Sequence, residues 1–259
     1  ALRAAIPGVE IHLSTQAGVH SEGAVRLAAD ELGVERVTTA RELTVDEIAA
    51  LCATGVPIEV FCHGAICIGY SGACEFSALR RGRSAMRGDC TQPCRLVYDL
   101  VDEAGQSVVA VEGDRLLCPR DYLGIAHLPE LVDAGVASLK IEGRMKTALY
   151  VADVARTYRQ AIDDYFADPK LYEKRLPYYL AEVSKASHRD YTTAFYYGKP
   201  DGNQQVYTNN SYIREYDFIG MVQEDWNEET GFAWVEQRNK FSVGEEIEVM
   251  PAQGDSYAM

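Results

Sequence analysis

No run of about 18 apolar residues occurs in this chain, so nothing in it reads as a membrane-spanning helix. The opening stretch ALRAAIPGVEIHLST lacks the layout of a secretory signal. It begins at Ala1 and enters strand sequence almost at once, which leads us to expect a shortened chain. Positive charge is scarce: 25 Lys and Arg face 39 Asp and Glu, for a formal net charge of -14. A non-specific nucleic-acid coat needs the opposite balance. Motifs of hydrolysis are missing too. There is no HExxH, and GYSGA (69–73) is not the GxSxG of a nucleophile elbow. The histidines, His12, His20, His63, His127 and His188, fall in no recognisable catalytic spacing. Cysteine is absent after Cys118. The seven cysteines are an odd number clustered between Cys52 and Cys118, which argues for metal ligands or redox groups over a disulfide framework.

What is present is ordinary globular material, 47% hydrophobic and 25% charged. The first part alternates strand and helix signals. VEIHLS (9–14) reads as a strand. SEGAVRLAADELG (21–33) reads as an amphipathic helix with Val25, Leu27, Ala28 and Leu32 on one side. ERVTT (35–39) is a short strand, and TVDEIAALCATG (44–55) a helix with Thr44 as N-cap, Glu47 completing a capping box and Gly55 as its stop. IEVFCHG (58–64) is the next strand. This βαβαβ rhythm predicts a parallel sheet with crossover helices. Residues 65–95, rich in Gly, Arg and Cys, have no clean period and read as a structured loop. RLVYDLV and VVAVE predict a hairpin, 118–135 a helical stretch, 136–143 a strand, and 147–167 a long helix ended by Asp168-Pro169. Residues 170–187 read as a linker or helical crossover.

From His188 the chain turns β-rich, with turn signals such as NEETG (227–231), which predicts a small antiparallel β-barrel domain over 188–259. The expected organisation is therefore an α/β domain over 1–187 and that barrel. A complete eight-stranded α/β barrel needs about 250 residues. The α/β part is shorter, so it is expected to be either a partial barrel-like sheet or a smaller α/β domain.

The chemistry-bearing pattern is Cys67-x6-Cys74-x15-Cys90-x3-Cys94. Four thiolates complete a tetrahedral zinc site or the iron sites of a cluster. Only the second pair has common zinc spacing, and the set fits no common ferredoxin spacing, so spacing leaves iron–sulfur, zinc and inert buried thiols open. Arg80, Arg81, Arg83, Arg87 and Arg95 face only Asp89 over residues 78–95. They would offset thiolate charge, lower thiol pKa values, and make an anion site. Residues 215–248 are instead acid-rich and read as a solvated face. Cys52 and Cys62 read as small buried thiols, with Cys118 a lesser candidate ligand.

At this point EVFCHGAICIGYSGACEFS (59–77) closely resembles the signature of the U32 family, long labelled collagenase-like peptidases. GDCTQPCRLVYDLVDEAG, SLKIEGRMK and KASHRDYTTAFYYGKP are further similar blocks, and NSYIREYDFIGMV…VEQRNKFSVGEEIEVM resembles the family's C-terminal barrel. The resemblance implies a [4Fe–4S] cluster on Cys67, Cys74, Cys90 and Cys94, with Cys118 replacing one ligand in some branches. It implies hydroxylation of a tRNA wobble uridine to 5-hydroxyuridine, dependent on prephenate. Other branches act on ribosomal RNA or in ubiquinone synthesis. It also implies a cytoplasmic setting and further strand–helix units ahead of Ala1. His63, Lys140, Glu142 and Arg144, at the ends of predicted parallel strands, are candidate catalytic residues. Arg80, Arg81, Arg83, Arg87 and Tyr70 are candidate substrate contacts. Strand-exit ion pairing is the plainer role for Lys140, Glu142 and Arg144, as core packing is for Tyr70. His188 and Arg189 are read as interdomain packing. An acidic protein that binds tRNA would need a local basic face, a partner protein or a second copy. The rival readings are a peptidase and a non-catalytic, zinc-stabilised module.

Overall fold

One strand, IEVFCHGA, organises the first of two units. The computed structural model describes residues 2–108, 113, 115–207, 212–224 and 226–259. The first unit is Ala1–Arg144 with His188–Tyr212; the second is Met145–Ser187 with Ile213–Met259. In the first, α1 (Leu2–Ala5), β1 (His12–Leu13), α2 (Glu22–Asp30), β2 (Arg36–Thr38), α3 (Val45–Cys52) and β3 (Ile58–Ala65) follow in order. β1 pairs parallel with β2, and β2 with β3, as the βαβαβ rhythm predicts. Ser21 caps α2, and Thr44 with Glu47 forms the expected capping box on α3. The apolar face of α2 is narrower than its sequence suggests: Val25 and Ala28 are buried, but Leu27 is 60% and Leu32 61% exposed.

Beyond β3 come α4 (Phe76–Arg81), β4 (Asp121–Leu123), α5 (Leu128–Asp133) and β5 (Ser138–Glu142). β5 runs parallel along one edge of β3, and β2 and then antiparallel β4 share the other. Here the structure departs from the helix predicted over 118–135. Asp121–Leu123 is a strand, and only Leu128–Asp133 is α-helical. The reason is tertiary. The Gly124 N–H donates to the Cys62 carbonyl at 2.7 Å, and a Cβ on Gly124 would stand 2.8 Å from that oxygen. Glycine lets β4 lie against β3 where helical periodicity would have carried the chain away. Of the predicted hairpin, Val101 bridges Ser107 and Asp102 closes the turn, while residues 109–112 lie outside the described residues.

The segment from His188, predicted to join the C-terminal strands, packs into the first unit instead. Its strand β6 (Tyr191–Thr192) pairs parallel with β4. The YTTAFYYG stretch turns after Thr192 rather than continuing as a strand. The result is a mixed, mainly parallel α/β sheet of six strands. Among the described residues no pairing closes it into a barrel.

In the second unit α6 (Ala148–Ala167) and α7 (Pro169–Lys185) form a helical pair. Asp168 ends the first helix and caps the second, and Pro169 takes the first-turn position where its missing N–H costs nothing. Of the two readings of residues 170–187, linker or helical crossover, the structure bears out helix. β7 (Gly220–Val222) pairs with β8 (Val235–Gln237), and β9 (Glu248–Val249) with β10 (Tyr257–Ala258). The turn at NEETG forms as predicted, with Asn227 Oδ1 accepting the Glu229 and Thr230 N–H groups at 2.9 and 3.0 Å. These are two separate antiparallel pairs, and among the described residues they do not close into a barrel. No helix among the described residues is long and apolar enough to cross a membrane.

Buried charge knits this unit. Arg156 bonds to Glu182 and Ser256, and Lys185 bridges Glu182 and Glu248. Asp153 lies beside them, 3.8 Å from Arg156. Burial, then the Glu182 carboxylate, push the Asp153 carboxyl up to about 7, against Arg156 and Lys185. A folded-state pKa above the unfolded one means the folded protein holds the proton more tightly. Stability from this residue is therefore full below the unfolded value and is lost as pH rises towards about 7. Asp153→Asn is expected to be more stable than the parent at pH 8 by about 1–3 kcal/mol, and equal to it at acid pH. Urea unfolding across that range reads the difference; parallel curves would remove the assignment.

Candidate metal centre

β3 and β5 end together, with Gly64 opposite Glu142. Past Ala65 the chain enters the cysteine loop. Cys67 and Cys74 sit in its first bend, and α4 separates them from Cys90 and Cys94. The fold-back depends on two glycines. A Cβ on Gly69 would stand 2.7 Å from the Cys74 Cβ and 3.0 Å from its sulfur. Gly72 adopts φ +80°, and a Cβ there would meet the Gln16 carbonyl at 2.6 Å. The bend is thereby seated on the turn at 16–18. The Ser71 N–H donates to Glu42 at 2.9 Å, and the Arg41 N–H donates to the Ser71 hydroxyl at 3.1 Å. Further on, the Thr91 N–H donates to Ser77 Oγ at 3.0 Å, holding the Cys90 segment against α4.

Cys67, Cys74 and Cys94 are half-buried and Cys90 is exposed, while Cys118 is buried. The thiols share one electrostatic neighbourhood. Cys67 feels Cys74 and Cys90, and Cys94 feels Cys67, Cys90 and Cys118. Burial pushes the Cys67 thiol up despite Arg41, and pushes the Cys94 thiol up to about 11 despite Arg95. The expectation that nearby arginines lower these values is thus corrected for these two thiols: desolvation outweighs them. Among the described residues no three His, Cys, Asp or Glu side chains stand close enough to share one metal ion. A four-iron cluster makes a different demand, one thiolate at each of four irons. Four soft donors on a loop pinned at several points suit that demand.

The other candidate residues divide. Glu142 and Arg144 join the loop: the Arg144 guanidinium donates to the Gly88 carbonyl, and its backbone N–H donates to Glu142 at 3.0 Å. Lys140 is drawn elsewhere, into an ion pair with Glu59 at 3.2 Å. Glu59 also accepts from Thr38 and Ser138 at 3.0 and 2.9 Å. Burial pushes the Glu59 carboxyl up, but the bonds from Ser138, Lys140 and Thr38 outweigh it and hold it low. His63 is 1% exposed and packs on Tyr191, whose ring stacks on His188 at 4.3 Å. Arg83 is paired with Asp89. Arg80, Arg81 and Arg87 are exposed, and among the described residues they make no ion pair. Tyr70 is 55% exposed, so core packing is not its role.

Two features escape sequence reasoning. Arg95 is buried and bonds across three cysteine-bearing segments. Asp121 and Arg189 form a buried ion pair at 3.2 Å beneath the Tyr212 ring. The sequence signals for Arg95 are its place after Cys94 and its membership of the arginine cluster; neither shows that it is buried and bonded to backbone carbonyls.

Residues 1–206 match the family described as Peptidase family U32, and residues 214–259 its C-terminal domain. The chain is 39% identical over 251 residues to the tRNA hydroxylation protein P1 of Bacillus subtilis, covering 95% of this chain and 59% of the relative. It is 45% identical over 159 residues to the 23S rRNA 5-hydroxycytidine C2501 synthase of Escherichia coli, covering 61% of this chain and 24% of the relative. A collagenase of Porphyromonas gingivalis is 31% identical over 223 residues, 82% of this chain and 54% of the relative. The chain thus spans only part of the length of these relatives. No solved structure matches it.

Proposed function

The chain belongs to peptidase family U32, and on that premise we propose that it acts in RNA hydroxylation, converting a tRNA wobble uridine to 5-hydroxyuridine. The observation that carries this reading is the loop that gathers Cys67, Cys74, Cys90 and Cys94 beside the exposed Arg80, Arg81 and Arg87. The names of the tRNA- and rRNA-modifying relatives support the same reading. We assign the four thiols as ligands of a [4Fe–4S] cluster, with zinc as the rival metal. When bound, the cluster supplies one-electron redox chemistry at this loop. The three exposed arginines meet RNA phosphates, and Tyr70 offers a ring face to an unstacked base. We assign Arg144 to a carboxylate of prephenate, the small molecule that the family resemblance implies, with Glu142 accepting its backbone N–H. We also propose that the open six-stranded sheet is part of an α/β barrel. A cytoplasmic location belongs to this proposal as well. With a formal net charge of -14, the protein takes its remaining basic surface for tRNA from a partner protein or a second copy.

Deleting the gene and measuring 5-hydroxyuridine in tRNA by mass spectrometry tests the proposal. Loss of the nucleoside is expected; an unchanged level in a strain without a paralogue would overturn it. The peptidase reading has the name of one relative behind it, but its only serine in a GxSxG-like setting, Ser71, is buried. The hydroxyl of Ser71 already accepts the Arg41 N–H.

A further inference from the structure

Arg95 is a charged residue in the interior, 6% exposed, directly after Cys94. Its Nη2 donates to the Ile66 carbonyl at 2.9 Å, and its Nη1 to the Pro119 carbonyl and to Cys118 Sγ, the last at 3.1 Å. Its own carbonyl accepts from Arg115 Nη1 at 2.8 Å. Ile66 precedes Cys67, and Pro119 follows Cys118. One planar fork therefore ties together three stretches of chain that each carry a cysteine. A lysine could not do the same, because an ammonium is a point donor on a flexible stem.

The Cys118 segment is itself fixed. Its carbonyl accepts the Val206 N–H at 2.7 Å, and its N–H donates to the Arg115 carbonyl at 3.3 Å. The fork thus anchors the Cys67 and Cys94 segments, which lie on a loop without regular strand pairing, to a firm part of the unit. Ordering ligand segments before the metal arrives removes an entropic cost from binding, and groups that orient ligands govern metal affinity by about 10- to 100-fold.

We infer that Arg95 is a positioning residue for the cysteine site, holding the Cys67, Cys94 and Cys118 segments in the register that cluster assembly needs. The inference rests on the reading of Cys67, Cys74, Cys90 and Cys94 as cluster ligands. Arg95→Lys and Arg95→Met are compared with the parent in two assays. In the first, protein is reconstituted anaerobically with iron and sulfide, and metal content per folded chain and the paramagnetic spectrum of the reduced cluster are measured. In the second, reduced metal-free protein is alkylated under native conditions, and the rate at each cysteine is mapped by peptide mass spectrometry. The variants are expected to need about tenfold more iron for equal loading. Cys67 and Cys118 are expected to alkylate faster, and Cys52 at its parental rate.

Parental loading and parental alkylation in both variants would overturn the inference. A lower melting temperature with unchanged iron per folded chain would also overturn it, since that marks a purely structural role. If the parent itself takes up no iron–sulfur cluster, the ligand reading fails, and the alkylation pattern alone then decides the role of Arg95. Should both Arg95 variants precipitate, Arg95→Gln, which keeps one planar donor and loses the two-armed fork, carries the same two assays. Faster alkylation of Cys67 in that variant supports the clamp, and a parental rate sinks it.

Discussion

Serine in place of Cys67, Cys74, Cys90 or Cys94 is expected to abolish the iron loading proposed for the loop, whereas serine in place of Cys52 is expected to leave it at the parental level. The oxygen of serine is a harder donor than thiolate and holds its proton far more tightly, so one substitution removes one iron's soft ligand. The loss should be at least about tenfold, because even the groups that merely orient ligands carry that much. The Cys67 and Cys94 thiols enter this contest protonated: burial holds Cys94 up at about 11 and raises Cys67 as well. The metal must displace those protons, so loading should weaken further as pH falls. Iron and sulfide counts with a visible spectrum, on protein purified without oxygen, read the outcome. Full iron content in any one of the four variants would remove that residue from the ligand set. Zinc without sulfide in the parent would move the site to the rival metal.

The second large effect lies in the interior. Asp121→Ala or Arg189→Ala should each cost about 3–5 kcal/mol, because either change leaves its former partner as an uncompensated buried charge. The pair is tight, with Asp121 1% exposed and Arg189 4% exposed. Asp121 accepts both the Arg189 N–H and its guanidinium at 3.2 Å, and the guanidinium lies over the Tyr212 ring at 4.3 Å from the centroid. The double variant should lose less than the sum of the two, since it removes both charges together. Urea unfolding of the four proteins closes the cycle. Additive losses would show that the two residues act separately.

These residues mark where the sequence is legible and where it is not. β1 to β3 and their helices follow from periodicity and caps, because Ser21, Thr44 and Glu47 signal helix starts through local bonds. The four cysteines proposed as ligands stand out in the sequence because they cluster in one loop that is rich in glycine and arginine. What failed depends on contacts distant in sequence. The stretch around Asp121 carries helical periodicity, yet Gly124 and the bond to Arg189 commit it to the sheet. The clamp at Arg95 was hidden because carbonyl acceptors at Ile66 and Pro119 have no side-chain signature. The thiol shifts ran opposite to expectation because a sequence brings arginines near cysteines without saying how much water reaches them.

The first unit is written in two pieces, with Met145–Ser187 spliced between Arg144 and His188. A protease nick or an expression boundary placed at residue 187, where composition changes, therefore does not cleave between modules. It strips β6 from its sheet and takes Arg189 away from Asp121. The fragment left behind would keep every cysteine and lose the guanidinium that faces Asp121 in its core. Dissection of this protein should instead keep the first unit whole, with Arg144 joined to His188 by a short linker and the chain ended at Tyr212.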